Sequence, residues 1–305
     1  MNYRQALNEA AKKLRQAGLE QPAGEARLLM GLLAGQNEAV ILAHPEKEVP
    51  GRFHELWNFL VEKRAQRVPL AYLAGEKEFY GLKFKVNRWT LVPRPETETL
   101  VEAVLKLPEP ATVVDIGTGC GCIAISLLKT WRRARGVVTD VSRRALMVAR
   151  INASTHGVVE RLEFLSGTLL KPLQGIKIKA PWILTANLPY LDVAAGADYI
   201  RKCPELRYEP AGALYASGGG LELYYRLLRQ AERMENKPEK IFLEINPEQV
   251  ADLLEFIAEL GGSWVGNARA VGKDMGQNGK GGSVSVKIHK DLGGRERVVE
   301  IDLKK

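Results

Sequence analysis

The chain has 305 residues, 46% of them hydrophobic and 26% charged, with a formal net charge of +8. This length supports two domains and a sizeable core, and no apolar run approaches the ~20 residues of a membrane span. The three cysteines, Cys120, Cys122 and Cys203, form no C-x-x-C or Cys/His cluster, which argues against a disulfide framework or a zinc site.

The first residues form a charged amphipathic pattern without the apolar stretch of a secretion signal, so a cytoplasmic location is expected. Leu7, Ala10, Ala11 and Leu14 recur at helical spacing, and Gly18 is a stop. Pro22 opens a second helix through Leu28, Leu29, Leu32 and Leu33, ended near Gly35. Phe53, Leu56, Trp57 and Leu60 mark a third. Residues 1–75 therefore read as a helical domain, serving as a structural cap or as a partner-recognition module. The stretch from Arg67 to Gly75 reads as a connector.

Phe79, Leu82, Phe84, Val86 and Leu91 predict a hairpin of two short strands with its turn near Asn87-Arg88, within a linker spanning 76–95. Pro93 and Pro95 exclude helix before Pro95, while Thr97 and Glu98 suit a first helical turn. This stretch is either a rigid lead into that helix or one wall of an active site.

From Thr112 the pattern alternates strand and helix. Val113, Val114 and Ile116 form a β-branched run, and Gly117, Gly119 and Gly121 follow at alternate positions. Glycine there permits positive φ and close approach of a ligand to the backbone. Helical spacing then begins at Cys122. A strand, a glycine turn and a helix N-terminus form the place where open α/β sheets bind nucleotide-like ligands. The next strand ends in Asp140, whose carboxylate can accept the hydroxyls of a ribose; nicotinamide and adenosylmethionine cofactors both satisfy that requirement. Ser142 is a helix cap ahead of Leu146, Val148, Ala149 and Ile151. A third strand covers Leu162 to Leu165, followed by Ser166-Gly167-Thr168-Leu169.

A further buried strand, Pro181 to Ala186, ends in Asn187-Leu188-Pro189-Tyr190. At the mouth of an α/β sheet this tetrad can grip a planar –NH2 group. The Asn187 oxygen accepts one N–H, and the Leu188 carbonyl, held outward by Pro189, accepts the other. The Tyr190 ring covers the flat face. The long connection 191–220, a helix over 220–234, a strand over 241–245, a helix over 249–260 and a final strand pair at 283–288 and 297–303 complete the pattern. Residues 266–282, rich in Gly, Lys and Asn, are expected to be mobile.

The segments PLAYLAGEKEFYGLKFKV, VPRPETETLVE, DIGTGCGCIAISL, NLPY, YEPAGALYASGGGLELYYRL, LEINPEQ and KDLGGRERVV together resemble the bacterial protein-glutamine N5-methyltransferases that modify peptide chain release factors. The resemblance implies an α/β fold: a Rossmann-like class I methyltransferase domain over 96–305, an N-terminal helical substrate-recognition domain and a β-hairpin between them. It implies S-adenosylmethionine as donor, with Gly117, Thr118, Gly119, Cys120 and Gly121 along its methionine portion, Asp140 on the ribose, Leu169 beside the adenine and Asn187 at the join of cofactor and acceptor. It implies Asn187, Leu188, Pro189 and Tyr190 as the catalytic tetrad and a release factor as partner. No metal, no membrane and no nucleic acid are required, and the enzyme is expected to act as a monomer. Two positions depart from the family pattern. Leu188 replaces the first proline of Asn-Pro-Pro-Tyr, which makes the tetrad similar to that of ribosomal RNA adenine dimethyltransferases. Thr168 stands where the family has an acid near the adenine. These departures keep two alternatives in view: an RNA adenine N6-methyltransferase and a non-catalytic, adenosylmethionine-binding protein.

Overall fold

The computed structural model describes residues 1–264 and 284–303, so the segment expected to be mobile, 266–282, lies outside the described residues. The chain divides into two compact units. One comprises Met1–Lys77 with Ile200–Tyr208, the other Glu78–Tyr199 with Glu209–Lys305.

The first unit is helical: α1 (Tyr3–Gln16), α2 (Pro22–Ala34), α3 (Glu38–Ala43), α4 (His54–Ala65) and α5 (Leu70–Ala74). Asn2 and Gln5 cap α1 reciprocally, the Asn2 side chain accepting from the Gln5 amide at 2.9 Å and Gln5 accepting in return at 3.1 Å. Gly35 ends α2 at φ 62°, a left-handed C-cap. Ala6, Ala10, Leu14, Leu29, Met30, Trp57 and Leu60 are buried together, whereas Leu28, Leu32 and Leu56 are exposed. The expected connector after Arg67 contains α5, which starts directly after Pro69 and stops at Gly75 in the left-handed region.

β1 (Glu76–Phe79) and β2 (Leu82–Lys85) form a two-stranded sheet. Its turn is Tyr80-Gly81, at φ 51° and 68°, and not Asn87-Arg88. Two successive left-handed residues give the loop whose twist matches paired strands. Asn87 instead closes a separate turn, accepting from the Trp89 amide at 3.0 Å.

The second unit continues with α6 (Pro95–Leu105), β3 (Thr112–Ile116), α7 (Cys122–Thr130), β4 (Arg135–Asp140), α8 (Arg143–Thr155), β5 (Leu162–Ser166) and β6 (Trp182–Ala186). The long connection carries β7 (Leu191–Asp192), α9 (Gly196–Lys202) and β8 (Tyr215–Ala216), with α9 crossing into the first unit's residues. Then come α10 (Glu222–Glu232), β9 (Lys240–Glu244), α11 (Val250–Trp264), β10 (Ser285–Lys290) and β11 (Glu296–Asp302). The main sheet has seven strands in the order β10-β11-β9-β6-β3-β4-β5. β9, β6, β3, β4 and β5 are parallel, and β11 and β10 join antiparallel at one edge. Every residue of β3 and β6 is buried, as expected for central strands covered on both faces. This is the expected α/β architecture. Strand order reverses at β3, which leaves a crevice at the carboxyl ends of β3 and β6.

Candidate active site

Parallel register brings the carboxyl ends of three strands together. Ile116 lies beside Thr139 of β4 and Ala186 of β6. Gly117, Asp140 and Asn187 therefore emerge at one edge of the sheet, although they are far apart in sequence.

Backbone bonds and a carboxylate hold the glycine turn. The Gly117 and Thr118 amides donate to the Thr139 carbonyl at 2.8 and 3.0 Å. The Gly119 amide donates to Asp140 Oδ2 at 2.9 Å, and the Ser142 amide to Asp140 Oδ1 at 2.8 Å. Burial nevertheless raises the Asp140 carboxyl above its ordinary value, with these two bonds opposing the rise. Gly121, at φ 86°, caps α7; a Cβ there would lie 2.8 Å from Ile125 Cδ1 and 3.2 Å from Ala149 Cβ, so only glycine lets α7 close onto α8. Gly119 differs: at φ 57° a Cβ would meet nothing nearer than the Gly117 carbonyl at 4.0 Å, so the missing side chain leaves open space over the turn. Cys120 is buried, and its carbonyl accepts from Asn152 Nδ2 at 2.9 Å. Leu169 is buried at φ 53°, and its carbonyl lies 3.2 Å from the Thr139 hydroxyl.

The tetrad follows β6 directly. Asn187 is half-buried, and its Nδ2 donates to Thr97 Oγ1 at 3.1 Å, which leaves Oδ1 as the end of the amide not engaged by Thr97. Leu188 is buried, and its Cδ2 stands 3.1 Å from where a Gly117 Cβ would be, so tetrad and glycine turn pack directly. The Leu188 carbonyl accepts from the Tyr224 hydroxyl at 2.9 Å, so one of its two lone pairs is already engaged. Pro189 and Tyr190 are half-buried, and the Tyr190 carbonyl accepts from Gln249 Nε2 at 2.8 Å. Gly220 packs against this carbonyl, because a Cβ at its φ of 86° would lie 2.0 Å from Tyr190 O.

Sequence reasoning missed several of these supports. Asp115 is fully buried, accepts from the Thr118 and Thr185 hydroxyls at 2.7 and 2.8 Å, and is pushed up to about 6 chiefly by burial. Asn152 is fully buried and also exchanges bonds with the Lys85 backbone, at 2.8 and 3.0 Å. Glu244 is fully buried at the end of β9. A signal existed for two of them. Asn152 falls on the apolar face of α8 with Val148, Ala149 and Ala153, and Glu244 interrupts the run Ile241-Phe242-Leu243-Glu244-Ile245. A polar residue on a buried face needs a partner or a task.

The residues at the glycine turn fit an adenosylmethionine-type cofactor. Open space stands over Gly119, and the Asp140 oxygens keep lone pairs for hydroxyls beyond the two amides they receive. Among the described residues no helix is long and apolar enough to cross a membrane, and no cluster of His, Cys, Asp and Glu could hold a metal ion.

Comparison with known proteins places the chain among methyltransferases. A family model for the PrmC N-terminal domain matches residues 5–75, and one for the methyltransferase small domain matches 95–185. The catalytic domain of human Mettl16, solved with a MAT2A 3′UTR hairpin, superposes with a TM-score of 0.54 over 81% of this chain and 82% of that one; at 16% identity it shows the fold alone. The fold, its sheet order and the methyltransferase family model together define a class I methyltransferase, for which the donor is S-adenosylmethionine. A release factor glutamine methyltransferase of Moorella thermoacetica is 39% identical over 254 residues, 82% of this chain and 87% of that protein. One from Enterococcus faecalis is 38% identical over 226 residues, 73% and 79% respectively. The chain belongs to the release factor glutamine methyltransferase family.

Proposed function

We propose that the protein transfers a methyl group from S-adenosylmethionine to the side-chain amide nitrogen of the glutamine in the Gly-Gly-Gln motif of peptide chain release factors. The observation that carries this reading is the orientation of Asn187, whose Nδ2 is turned inward onto Thr97. Its Oδ1 is then the end of the amide left for a substrate, on a residue that directly follows β6 and whose backbone carbonyl lies 3.9 Å from where a Gly117 Cβ would be. A primary amide offers two N–H donors. Asn187 Oδ1 takes one, and the second lone pair of the Leu188 carbonyl takes the other, the first being held by Tyr224. The Tyr190 ring covers the face of the amide.

When bound, S-adenosylmethionine supplies an electrophilic methyl on a cationic sulfur. Gly117, Thr118, Gly119, Cys120 and Gly121 hold its methionine portion, Asp140 the ribose and Leu169 the adenine. An amide nitrogen is a poor nucleophile because its lone pair is delocalised, and the tetrad contains no histidine, lysine or cysteine to deprotonate it. Two fixed acceptors would orient the –NH2 and keep electron density on nitrogen; as the nitrogen–methyl bond formed, the methyl–sulfur bond would break to leave a neutral thioether, and the spare proton would pass to water. Alignment of bound reactants supplies roughly 7–11 kcal/mol of a barrier. One neutral hydrogen bond supplies about 0.5–1.5 kcal/mol, so geometry dominates. Residues 1–75 hold the release factor away from its glutamine loop, 76–95 link the two domains, and 96–305 carry the transfer. The positive net charge of +8 suits an acidic protein partner. The enzyme works in the cytoplasm as a monomer and needs no nucleic acid.

The test is transfer of labelled methyl to a purified release factor, to the same factor with the glutamine changed to alanine, and to ribosomal RNA. Label on the unmodified factor only is the expected result. Label on RNA would favour the adenine methyltransferase reading that Asn-Leu-Pro-Tyr resembles. Label on neither, with cofactor bound, would identify a non-catalytic protein. Asn187→Ala should lower turnover far more than cofactor affinity, and unchanged turnover would overturn the role of the tetrad.

A further inference from the structure

Glu244 ends β9 with no exposed surface, and its carboxylate faces the Thr97 hydroxyl without a closed hydrogen bond to either oxygen. A buried, unpaired carboxylate is costly, so it persists only with compensation or a task. Its neighbours show what that task is. Thr97, in the first turn of α6, faces Glu244 and is itself 2% exposed. The same Thr97 oxygen receives Asn187 Nδ2 at 3.1 Å. A hydroxyl that accepts from Asn187 still has one proton to place, and a hydroxyl proton rotates to suit its surroundings.

We propose that Glu244 is a positioning residue that sets the direction of a hydrogen-bond chain from Asn187 Nδ2–H to Thr97 Oγ1–H to its own carboxylate, and so fixes which end of the Asn187 amide faces the substrate. An ionised carboxylate only accepts. It therefore draws the Thr97 proton, leaves the Thr97 lone pairs for Asn187 Nδ2, and keeps Asn187 Oδ1 outward. A protonated Glu244 donates to Thr97 instead. The Thr97 proton is then free to turn onto Asn187 Oδ1, the amide flips, and a donor faces the substrate –NH2.

The charges around Glu244 are set. Burial pushes its carboxyl up to about 7, opposed first by the Thr97 hydroxyl and then by Arg297; Glu96 adds to the rise, and Arg94 opposes it. Tyr190, Tyr224 and Cys122 also face it, each raised above its ordinary value, chiefly by burial for the tyrosines and by the Cys120 thiol and burial for Cys122. The arginines stay charged throughout. Glu244 is thus the group of this cluster that titrates near neutrality, and the chain should run in the productive direction above about 7 and lose it below.

The substrate assignment rests on the function proposed above, so the first readout needs no substrate. In 15N-labelled protein the Asn187 side-chain NH2 signals, assigned by their loss in Asn187→Ala, should shift as pH crosses about 7. They should stay put in Glu244→Gln and in Thr97→Val. The second readout is turnover. Both variants should lose about tenfold or more in kcat, with the S-adenosylmethionine Kd within about twofold by calorimetry, and Thr97→Ser should rescue most of the loss. If Glu244→Gln does not fold, Thr97→Val carries the same comparison. Asn187 signals that ignore pH, or that shift equally in the variants, would overturn the proposal even if the protein methylates release factors. An absence of methyl transfer by wild type would count against the proposed function while leaving the spectroscopic result decisive for Glu244.

Discussion

The hydroxyl of Tyr224 donates to the carbonyl oxygen of Leu188 at 2.9 Å, so a buried residue of α10 holds the backbone of the tetrad. The same hydroxyl lies 2.6 Å from the Glu244 carbonyl, which places one phenol between the ends of two parallel strands. Tyr224→Phe keeps the ring and removes the donor. It removes the single proton that the Leu188 and Glu244 carbonyls share, at a cost of about 1–3 kcal/mol. The expected outcome is a lower urea midpoint together with slower methyl transfer. A variant with unchanged turnover would show that the Leu188 carbonyl needs no such support.

Gly220 tests the tetrad from the other side. An alanine Cβ there would stand 2.0 Å from Tyr190 O and 2.4 Å from Gln249 Nε2, in a backbone region that L residues rarely adopt. Gly220→Ala must move the Tyr190 carbonyl, break the Gln249 bond, or both. Turnover should fall by more than about tenfold, since misplacement of roughly 1 Å costs about 10²-fold. Gly219→Ala meets no atom within 4 Å, although its φ is 66°. It should show only the modest strain of that backbone, and equal losses in the two variants would refute the steric account.

Asp140 serves the glycine turn as well as any ribose. Asp140→Asn replaces one accepting oxygen by a donor, so the Gly119 or the Ser142 amide loses its partner. Hydrogen bonds to charged groups contribute about 1.5–3 kcal/mol, so calorimetry should show S-adenosylmethionine affinity reduced by about tenfold to a hundredfold. Affinity within twofold of wild type would exclude Asp140 from the binding site.

In the helical unit Arg64 is buried between Glu25 and Glu205, and Arg67 holds Glu205 at 3.0 Å. Arg64→Ala leaves Glu25 unpaired in a partly buried place. The expected loss is about 3 kcal/mol, at the low end for a broken buried pair because Arg67 remains on Glu205. Burial alone would raise the Glu205 carboxyl, yet its own backbone amide, Arg64 and Arg67 bring it below 4.5. A depressed carboxyl stabilises the fold above the unfolded value and loses that contribution as pH falls through the folded one. Melting curves of wild type should therefore drop below pH 4.5, and those of Arg64→Ala should drop less steeply. Because residues 200–208 belong to this unit, deleting residues 1–75 would strip Glu205 of both arginines. Point variants are the cleaner probe of the unit.

What the residues determine by themselves is local. Apolar spacing and punctuation define α1, α2, α4 and the alternation from β3 to α11, because helix and strand periods are properties of short windows. Ser142 caps α8 as its position predicts, its side chain accepting from Ala145 at 3.1 Å. The G-x-G-x-G turn, the acid ending β4 and the Asn-Leu-Pro-Tyr tetrad are legible for the same reason: each is a contiguous run. The hairpin turn was not, since Asn87-Arg88 and Tyr80-Gly81 both interrupt apolar runs, and strand pairing chooses between them. Nor were the bonds that make the tetrad a site. Thr97 meets Asn187 across 90 residues, Tyr224 meets Leu188 across 36, and Gln249 meets Tyr190 across 59. Those meetings follow from the register of β3, β6 and β9 and from the packing of α6 and α10 on the sheet, and that arrangement exists only once the whole core is buried. A buried carboxylate such as Glu244 acquires its chemistry the same way, from the low dielectric that the surrounding chain closes over it.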